Sequence, residues 1–337
     1  MLQDPILLIG GSGTVGRWTA KFLRAWYPNV RLLIGGRDLV KSKDAAAEIG
    51  NAEGIIIDLA AQDLGLGGLS VSAVAVLFMD DRIAGLRFAQ ARGVPHISIS
   101  PGMIELGPQV AAYINKPNAA PVVLGTEWLV GATTVPTLEF TKKFGEVHNI
   151  AIGALLDEQD ASGPAADLDL ERQMNTMPAA LARGDSGYYW RTGDEAKTEF
   201  RAVDGTLMEA SAFSPFDVVA LATVTDATDV QFNLALGMSS SRRAGKGMST
   251  EIIIELAGYD HEGKPLHTRH AVVHPEGQMP LTGLGVAMLI ERLTGLDGNT
   301  PSQPGLYFPY QLLEPALYLA RLKEIGGEVL ELDVLNN

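Results

Sequence analysis

Gly10-Gly11-Ser12-Gly13-Thr14-Val15-Gly16 closes an apolar run at residues 5–10 and opens an amphipathic one. Counted from Gly11, the segment satisfies the spacing G-x-G-x-x-G. A lone match of that pattern is weak, but between a strand and a helix it has a specific physical reading. Gly11 permits a tight turn, Gly13 lets backbone approach a pyrophosphate, and Gly16 lets helix and strand pack closely. Ser12, Thr14 and Val15 complete a helix start whose amides and dipole attract phosphate. The chemistry expected of Gly11 through Gly16 is dinucleotide binding.

The next apolar run, residues 30–35, indicates which dinucleotide. About 20 residues past such a loop, an acid suits the ribose hydroxyls of NAD, and an arginine suits the 2′-phosphate of NADP. Gly36 stands at the acidic position and Arg37 follows, with Lys41 and Lys43 a turn further on. A guanidinium matches a phosphate by charge and by its planar fork. The pattern favours NADP(H). NAD(H) stays open, because Asp38 can either serve a ribose or cap the next helix. Asp58, at the end of the third run, falls near the adenine in such a fold, with a capping role as its alternative. Phe78 and Met79 end the fourth run, beside the topological switch point where a nicotinamide would lie.

Hydride chemistry also needs a proton donor near the receiving atom. None of the eight tyrosines has a lysine four residues on, so a Tyr-x-x-x-Lys pair is excluded. Cysteine is absent, which excludes thiolate nucleophiles and thiolate-held metals. The remaining donor candidates are Asp80, His270 and His274. The two histidines are four residues apart and share one face of a strand; a packed or surface role is their alternative, and His96 is expected to pack. A metal on His267, His270 and His274 would need helical spacing, which Pro265 and Pro275 oppose, so no metal site is expected. Trp128 is expected to wall a substrate cleft. In the local basic stretch 239–247, Arg242 and Arg243 suit a substrate carboxylate or phosphate, with a solvated loop as the alternative.

Positioning these groups falls to two kinds of architecture. Apolar runs at 5–10, 30–35, 54–57, 71–79, 95–100 and 121–125 start 25, 24, 17, 24 and 26 residues apart. Unalternating runs fit strands buried on both faces, and the segments between them read as helices. In the first of these, Val15, Trp18, Phe22 and Trp26 recur on one helical face. The expectation is α/β: a Rossmann-type doubly wound parallel sheet over residues 1–126. Longer runs follow at 149–156, 217–225, 230–237 and 250–259, and 265–274 forms a hairpin with the last. They predict a substrate and dimerisation domain at 127–278, α+β with a mostly antiparallel sheet. Residues 184–205 read as an extended connection. Helices at 281–293 and 312–325 place a C-terminal segment, 279–337, packing back towards the first domain.

The chain has 337 residues, 26 basic and 40 acidic, for a formal charge of −14. That balance opposes a nucleic-acid partner. The first five residues lack the basic start of a secretory signal, and no apolar run reaches membrane-spanning length. A cytoplasmic protein with a small-molecule substrate and no membrane partner is expected.

These motifs resemble the saccharopine dehydrogenase-like family of NAD(P)-dependent oxidoreductases, in its short bacterial branch. The resemblance lies in Ile9 through Gly16 with Gly36-Arg37, in Val122-Val123-Leu124-Gly125-Thr126, in Phe216-Asp217 and Asp229-Val230-Gln231-Phe232, and in Pro304 through Pro309 with Leu313-Glu314-Pro315 and Leu322. It implies reduction of an imine of an amino-acid-like substrate, or the reverse oxidation, in a homodimer paired through the antiparallel domain. A carbonyl or enoyl reductase of a less polar substrate is the near alternative, and a dinucleotide-binding sensor or scaffold the further one.

Overall fold

The computed structural model describes residues 4–99, 106–161, 163, 167–168, 170–172, 175, 179–213 and 215–334. The chain forms two compact units. Unit 1 takes Met1–Thr126, Ser162–Asp169 and Thr282–Leu313; unit 2 takes Glu127–Ala161, Leu170–Leu281 and Glu314–Asn337.

Unit 1 is built from β1 (Ile6–Ile9), α1 (Thr14–Trp26), β2 (Leu32–Gly36), α2 (Leu39–Ile49), β3 (Ala52–Ile56), β4 (Ala73–Val76), α3 (Ala84–Arg92), β5 (His96–Ile99), α4 (Leu106–Asn115) and β6 (Val122–Gly125). All pairings are parallel, in the order β6-β5-β4-β1-β2-β3, and the short strand Leu306–Tyr307 extends the sheet beyond β6. This is the doubly wound dinucleotide-binding order, with its switch point between β1 and β4. β1 and β4 are buried throughout, because strands covered on both faces have no solvent side.

Two expectations for this unit need correction. β3 is an edge strand, and its Ile56 is 54% exposed, so its apolar run does not mark burial on both faces. No helix joins β3 to β4: residues 57–72 run through turns, with Leu64 buried in the left-handed region. Its side chain joins Leu7, Leu33, Val74 and Phe88 in the core, doing the packing a helix would do. On α1 the aromatic face forms a stack, Trp18 on Phe22 at 5.6 Å and Phe22 on Trp26 at 5.8 Å. Gly283, in the helix Gln278–Thr294, comes against Trp18 so closely that a methyl there would stand 2.7 Å from its Cβ.

Unit 2 contains α5 (Thr134–Thr141), β7 (Phe144–Asp157), β8 (Ala180–Gly184), β9 (Gly187–Arg191), β10 (Lys197–Arg201), β11 (Leu207–Ala212), α6 (Asp217–Thr225), β12 (Asp229–Gly237), β13 (Thr250–Asp260) and β14 (Pro265–His274). The sheet order is β10-β11-β12-β7-β13-β14, ending on the strand Glu328–Leu332, and β8 pairs with both β12 and β9. The sheet is mixed: β12 runs parallel to β7 over nine residue pairs, while the other pairings are antiparallel. The β13–β14 hairpin turns at Asp260, whose carboxylate accepts the Glu262 and Lys264 amides.

Here too the sequence misleads in places. Residues 217–225 form a helix instead of a strand; a short apolar β-branched run carries no periodicity that separates the two. Residues 184–205 hold β9 and β10, not a connection. The C-terminal segment is divided: from Glu314 onward it belongs to unit 2, where its last strand pairs with β14. No described helix is long and apolar enough to cross a membrane.

Candidate functional site

Sheet geometry fixes the glycine loop at the carboxyl end of β1. The Gly10 amide donates to Gly35 of β2 (2.8 Å), and the Gly13 amide donates back to Gly10 (2.9 Å). A methyl on Gly16 would stand 2.5 Å from the Gly11 Cα and 2.6 Å from its carbonyl oxygen, so loop and helix meet backbone to backbone. Gly13 is the N-cap of α1 and supplies no side-chain acceptor; the first turn also carries no acid. The opening amides of the helix are therefore left without a capping group. A methyl on Gly13 would meet only the Gly10 carbonyl, at 3.2 Å, and Gly13 and Thr14 are exposed. The segment Gly11, Ser12, Gly13, Thr14, Val15, Gly16 thus forms a backbone cradle that fits a pyrophosphate.

The end of β2 lies beside it. A side chain at Gly36 would start 3.1 Å from the Ser42 hydroxyl and 3.8 Å from that of Ser12. Arg37 is exposed and forms no hydrogen bond or ion pair with a described residue. Asp38 is occupied, since one carboxylate oxygen caps α2 by accepting the Val40 and Lys41 amides at 3.0 and 3.1 Å. Its capping alternative is the one seen, and Arg37, Lys41 and Lys43 are exposed charged groups beside it. Asp58 accepts the Ala60 amide at 2.9 Å, a turn role at the end of the third run. Phe78 covers Gly10, its ring carbon 2.9 Å from where a Cβ would stand, and Met79 is half-buried next to it. Asp80 receives the Arg82 and Gly85 amides at 3.2 and 2.9 Å, which fixes the turn into α3.

In unit 2 the remaining candidates are committed elsewhere. His270 is buried and stacks on Phe140 at 4.0 Å; burial, aided by Lys143, lowers its pKa. His274 is also buried, with Nε2 against the Ile325 carbonyl (3.2 Å) and Nδ1 accepting the Glu276 amide (3.2 Å). Burial lowers its pKa as well. Arg242 lies between Asp157 (2.9 Å) and Glu158 (2.6 Å). Arg243 donates to both oxygens of Asp204, which holds that carboxyl well below the usual carboxylate range. Three carboxylates thus face these two arginines, which sequence reasoning assigned to a substrate anion. His96 is buried and its burial pushes it down to about 3, as expected of a packing histidine. Among the described residues no cluster of three His, Asp or Glu is arranged to hold a metal.

Trp128 sits in a feature the sequence did not disclose. Leu129 (φ +50°), Val130 (φ +58°) and Gly131 (φ +95°) are left-handed in succession. For a leucine and a β-branched valine that conformation costs about 1–3 kcal/mol each unless the surroundings impose it. Asp217, at the head of α6 and fully buried, accepts the Trp128 amide at 2.6 Å and the Thr133 hydroxyl. Glu127, also buried, accepts the Thr134 hydroxyl. The Trp128 ring meets Phe213 and Phe232 edge-on at 5.2 and 5.8 Å. Burial pushes the Asp217 carboxyl up to about 7, against the opposing hydrogen bonds. The sequence signal was an acid heading an apolar run, which a strand assignment hides.

No family model and no curated protein sequence matches the chain. Solved structures do. Saccharopine dehydrogenase (L-Glu forming) of Saccharomyces cerevisiae is similar with a TM-score of 0.64 at 14% identity, over 97% of this chain and all of the other. A scyllo-inositol dehydrogenase of Lactobacillus casei, solved with NAD(H) and scyllo-inositol, has a TM-score of 0.50 at 11% identity, over 98% and 99% of the two chains. At these identities the likeness establishes the fold alone, a Rossmann-type α/β unit with a second mixed-sheet unit.

Proposed function

We propose that this protein is an NADP(H)-dependent oxidoreductase. One observation carries the reading: an uncapped helix start over a glycine cradle, with an unpaired Arg37 at its rim and the neighbouring acid used up in capping. Bound there, the dinucleotide would supply or accept a hydride. The amides of residues 12–16 would hold the pyrophosphate, Arg37 would face the 2′-phosphate, and Phe78 would restrict the floor near Gly10. Titration of NADPH and NADH tests this; tighter binding of NADH would overturn the preference.

For the substrate, the proposal is a C–N bond of an amino-acid-like compound, reduced as an imine. Its support is the fold shared with a saccharopine dehydrogenase. A second reading, a carbonyl or enoyl reductase acting on a less polar compound, is favoured by the internal pairing of Arg242 and Arg243 with carboxylates of the protein. NADPH oxidation with amine and 2-oxo-acid pairs, set against aldehydes and enones, separates the two. Binding without turnover of either set supports a sensor or scaffold instead. A cytoplasmic homodimer completes the proposal; three neighbouring residues of β9, Tyr188, Tyr189 and Trp190, are more than 40% exposed and suit a protein contact. Sedimentation as a monomer would remove that element.

A further inference from the structure

The turn from Glu127 to Thr133 is the first stretch of unit 2 after the chain leaves β6. Its backbone bonds run from the Val130 amide to Glu127 (2.9 Å), the Ala132 amide to Trp128 (3.2 Å), the Val135 amide to Gly131 (3.0 Å) and the Thr137 amide to Thr133 (3.1 Å). The side chains of Leu129 and Val130 disfavour the left-handed angles they adopt. What brackets the strained residues is Asp217. One of its oxygens takes the amide just before them, and the other takes the hydroxyl just after Ala132. Both bonds cross about 85 residues of sequence, so they anchor the turn to α6 and not to itself. From outside the turn, Thr134 reinforces the arrangement through Glu127.

We propose that Asp217 is a positioning residue, a latch that holds the Trp128–Thr133 turn in its strained conformation and thereby sets the Trp128 ring against Phe213 and Phe232. The inference is independent of the reading of the cofactor. It differs from a general packing role in a measurable way. A latch acts locally, and its loss matters less once the strain it opposes is removed.

Hydrogen exchange of the full chain tests it. Asp217→Ala should speed exchange of amides 128–133 by about tenfold or more, while β1, α1 and β7 keep their protection. Thr133→Val, which removes one of the two bonds and preserves shape, should give a smaller increase at the same amides; it decides the matter if Asp217→Ala does not fold. Asp217→Asn retains an acceptor for the Trp128 amide and a partner for the Thr133 hydroxyl, and should leave the protection in place. Leu129→Gly relieves the left-handed strain at a half-buried position. In that background Asp217→Ala should change the unfolding equilibrium by at least about threefold less than in the parent chain. Unchanged exchange at 128–133 in Thr133→Val, acceleration spread evenly over unit 2, or strictly additive effects of Leu129→Gly and Asp217→Ala would each overturn the proposal.

Discussion

Around its glycine loop unit 1 leaves polar groups open, whereas unit 2 buries four carboxyl groups and gives each of them partners from within. Among the described residues the first amides of α1 have no capping side chain and Arg37 has no hydrogen-bond or ion-pair partner. In unit 2, Glu127, Asp157, Asp217 and Glu251 are all at most 3% exposed, and each accepts hydrogen bonds from protein groups. An unsatisfied polar group at a surface costs little because water serves it; the same group in the interior costs several kcal/mol. Open groups in unit 1 are therefore free to meet a ligand, and closed ones in unit 2 are structural unless something displaces their partners. Charge alone does not mark a site: Arg242 and Arg37 look alike in sequence, and only the second is available.

The sharpest way to break this contrast is to titrate the buried side. With its carboxyl at about 7, against 3.8 unfolded, Asp217 keeps its proton in the native state over a range where the unfolded chain has lost it. The contribution of Asp217 to stability then falls as pH rises from about 4 to about 7 and levels off above. Asp217→Asn cannot titrate, so its stability relative to the parent should rise across that window, by up to about 4 kcal/mol at roughly 1.4 kcal/mol per pH unit. Urea unfolding at pH 4.5, 6 and 7.5 measures it. Parallel profiles for the two proteins would mean that Asp217 is not buried as described.

What the sequence discloses follows the same division. The glycine loop is a local motif: Gly11, Gly13 and Gly16 act through neighbours within a few residues, so spacing reveals them. The β13–β14 hairpin and the order of β1 through β6 are legible for the same reason, each being set by runs and turns in sequence. The Asp217 latch depends on bonds between residues 84 and 89 apart, and nothing in the local pattern announces them. The same holds for Arg242 with Asp157. A basic stretch looks like an anion site until distant acids fold onto it. Histidine positions were legible as a shared strand face, but their burial against Phe140 and Ile325 was not.

On the open side, Gly16→Ala gives the next largest effect. Its methyl would overlap the Gly11 backbone at 2.5–2.6 Å, atoms fixed by β1 and unable to yield cheaply. Overpacking of this kind costs about 1–3 kcal/mol, and the displaced loop should also lose its dinucleotide. Calorimetric melting with an NADPH titration reads both; an unshifted melt with unchanged affinity would remove the close-contact argument. Arg37→Ala comes after it. The side chain is exposed and has no hydrogen bond or ion pair among the described residues, so melting should not move, while NADPH affinity should drop by about 10- to 30-fold, as for loss of a charged hydrogen-bonded pair. NADH affinity should change by less than about threefold. Equal losses for both dinucleotides would place Arg37 away from the 2′-phosphate and restore Asp38 as a contender.

The smallest expected effect tests whether open groups contribute only to binding. Glu48 of α2 pairs with Arg17 and with Lys21 (3.2 Å), Glu48 and Lys21 exposed and Arg17 half-buried, and the two cations hold its carboxyl below the usual range. Arg17 also donates from Nε to the Ser12 carbonyl at 3.1 Å, so the pair links α2 to the glycine loop through α1. Exposed pairs contribute about 0–1 kcal/mol, and salt screens them. Glu48→Gln should therefore leave the melting curve nearly unchanged, because water replaces the lost acceptor. A clear drop in melting temperature would mean that charge near the loop is as structural as it is in unit 2, and the distinction between an open and a closed side would fail.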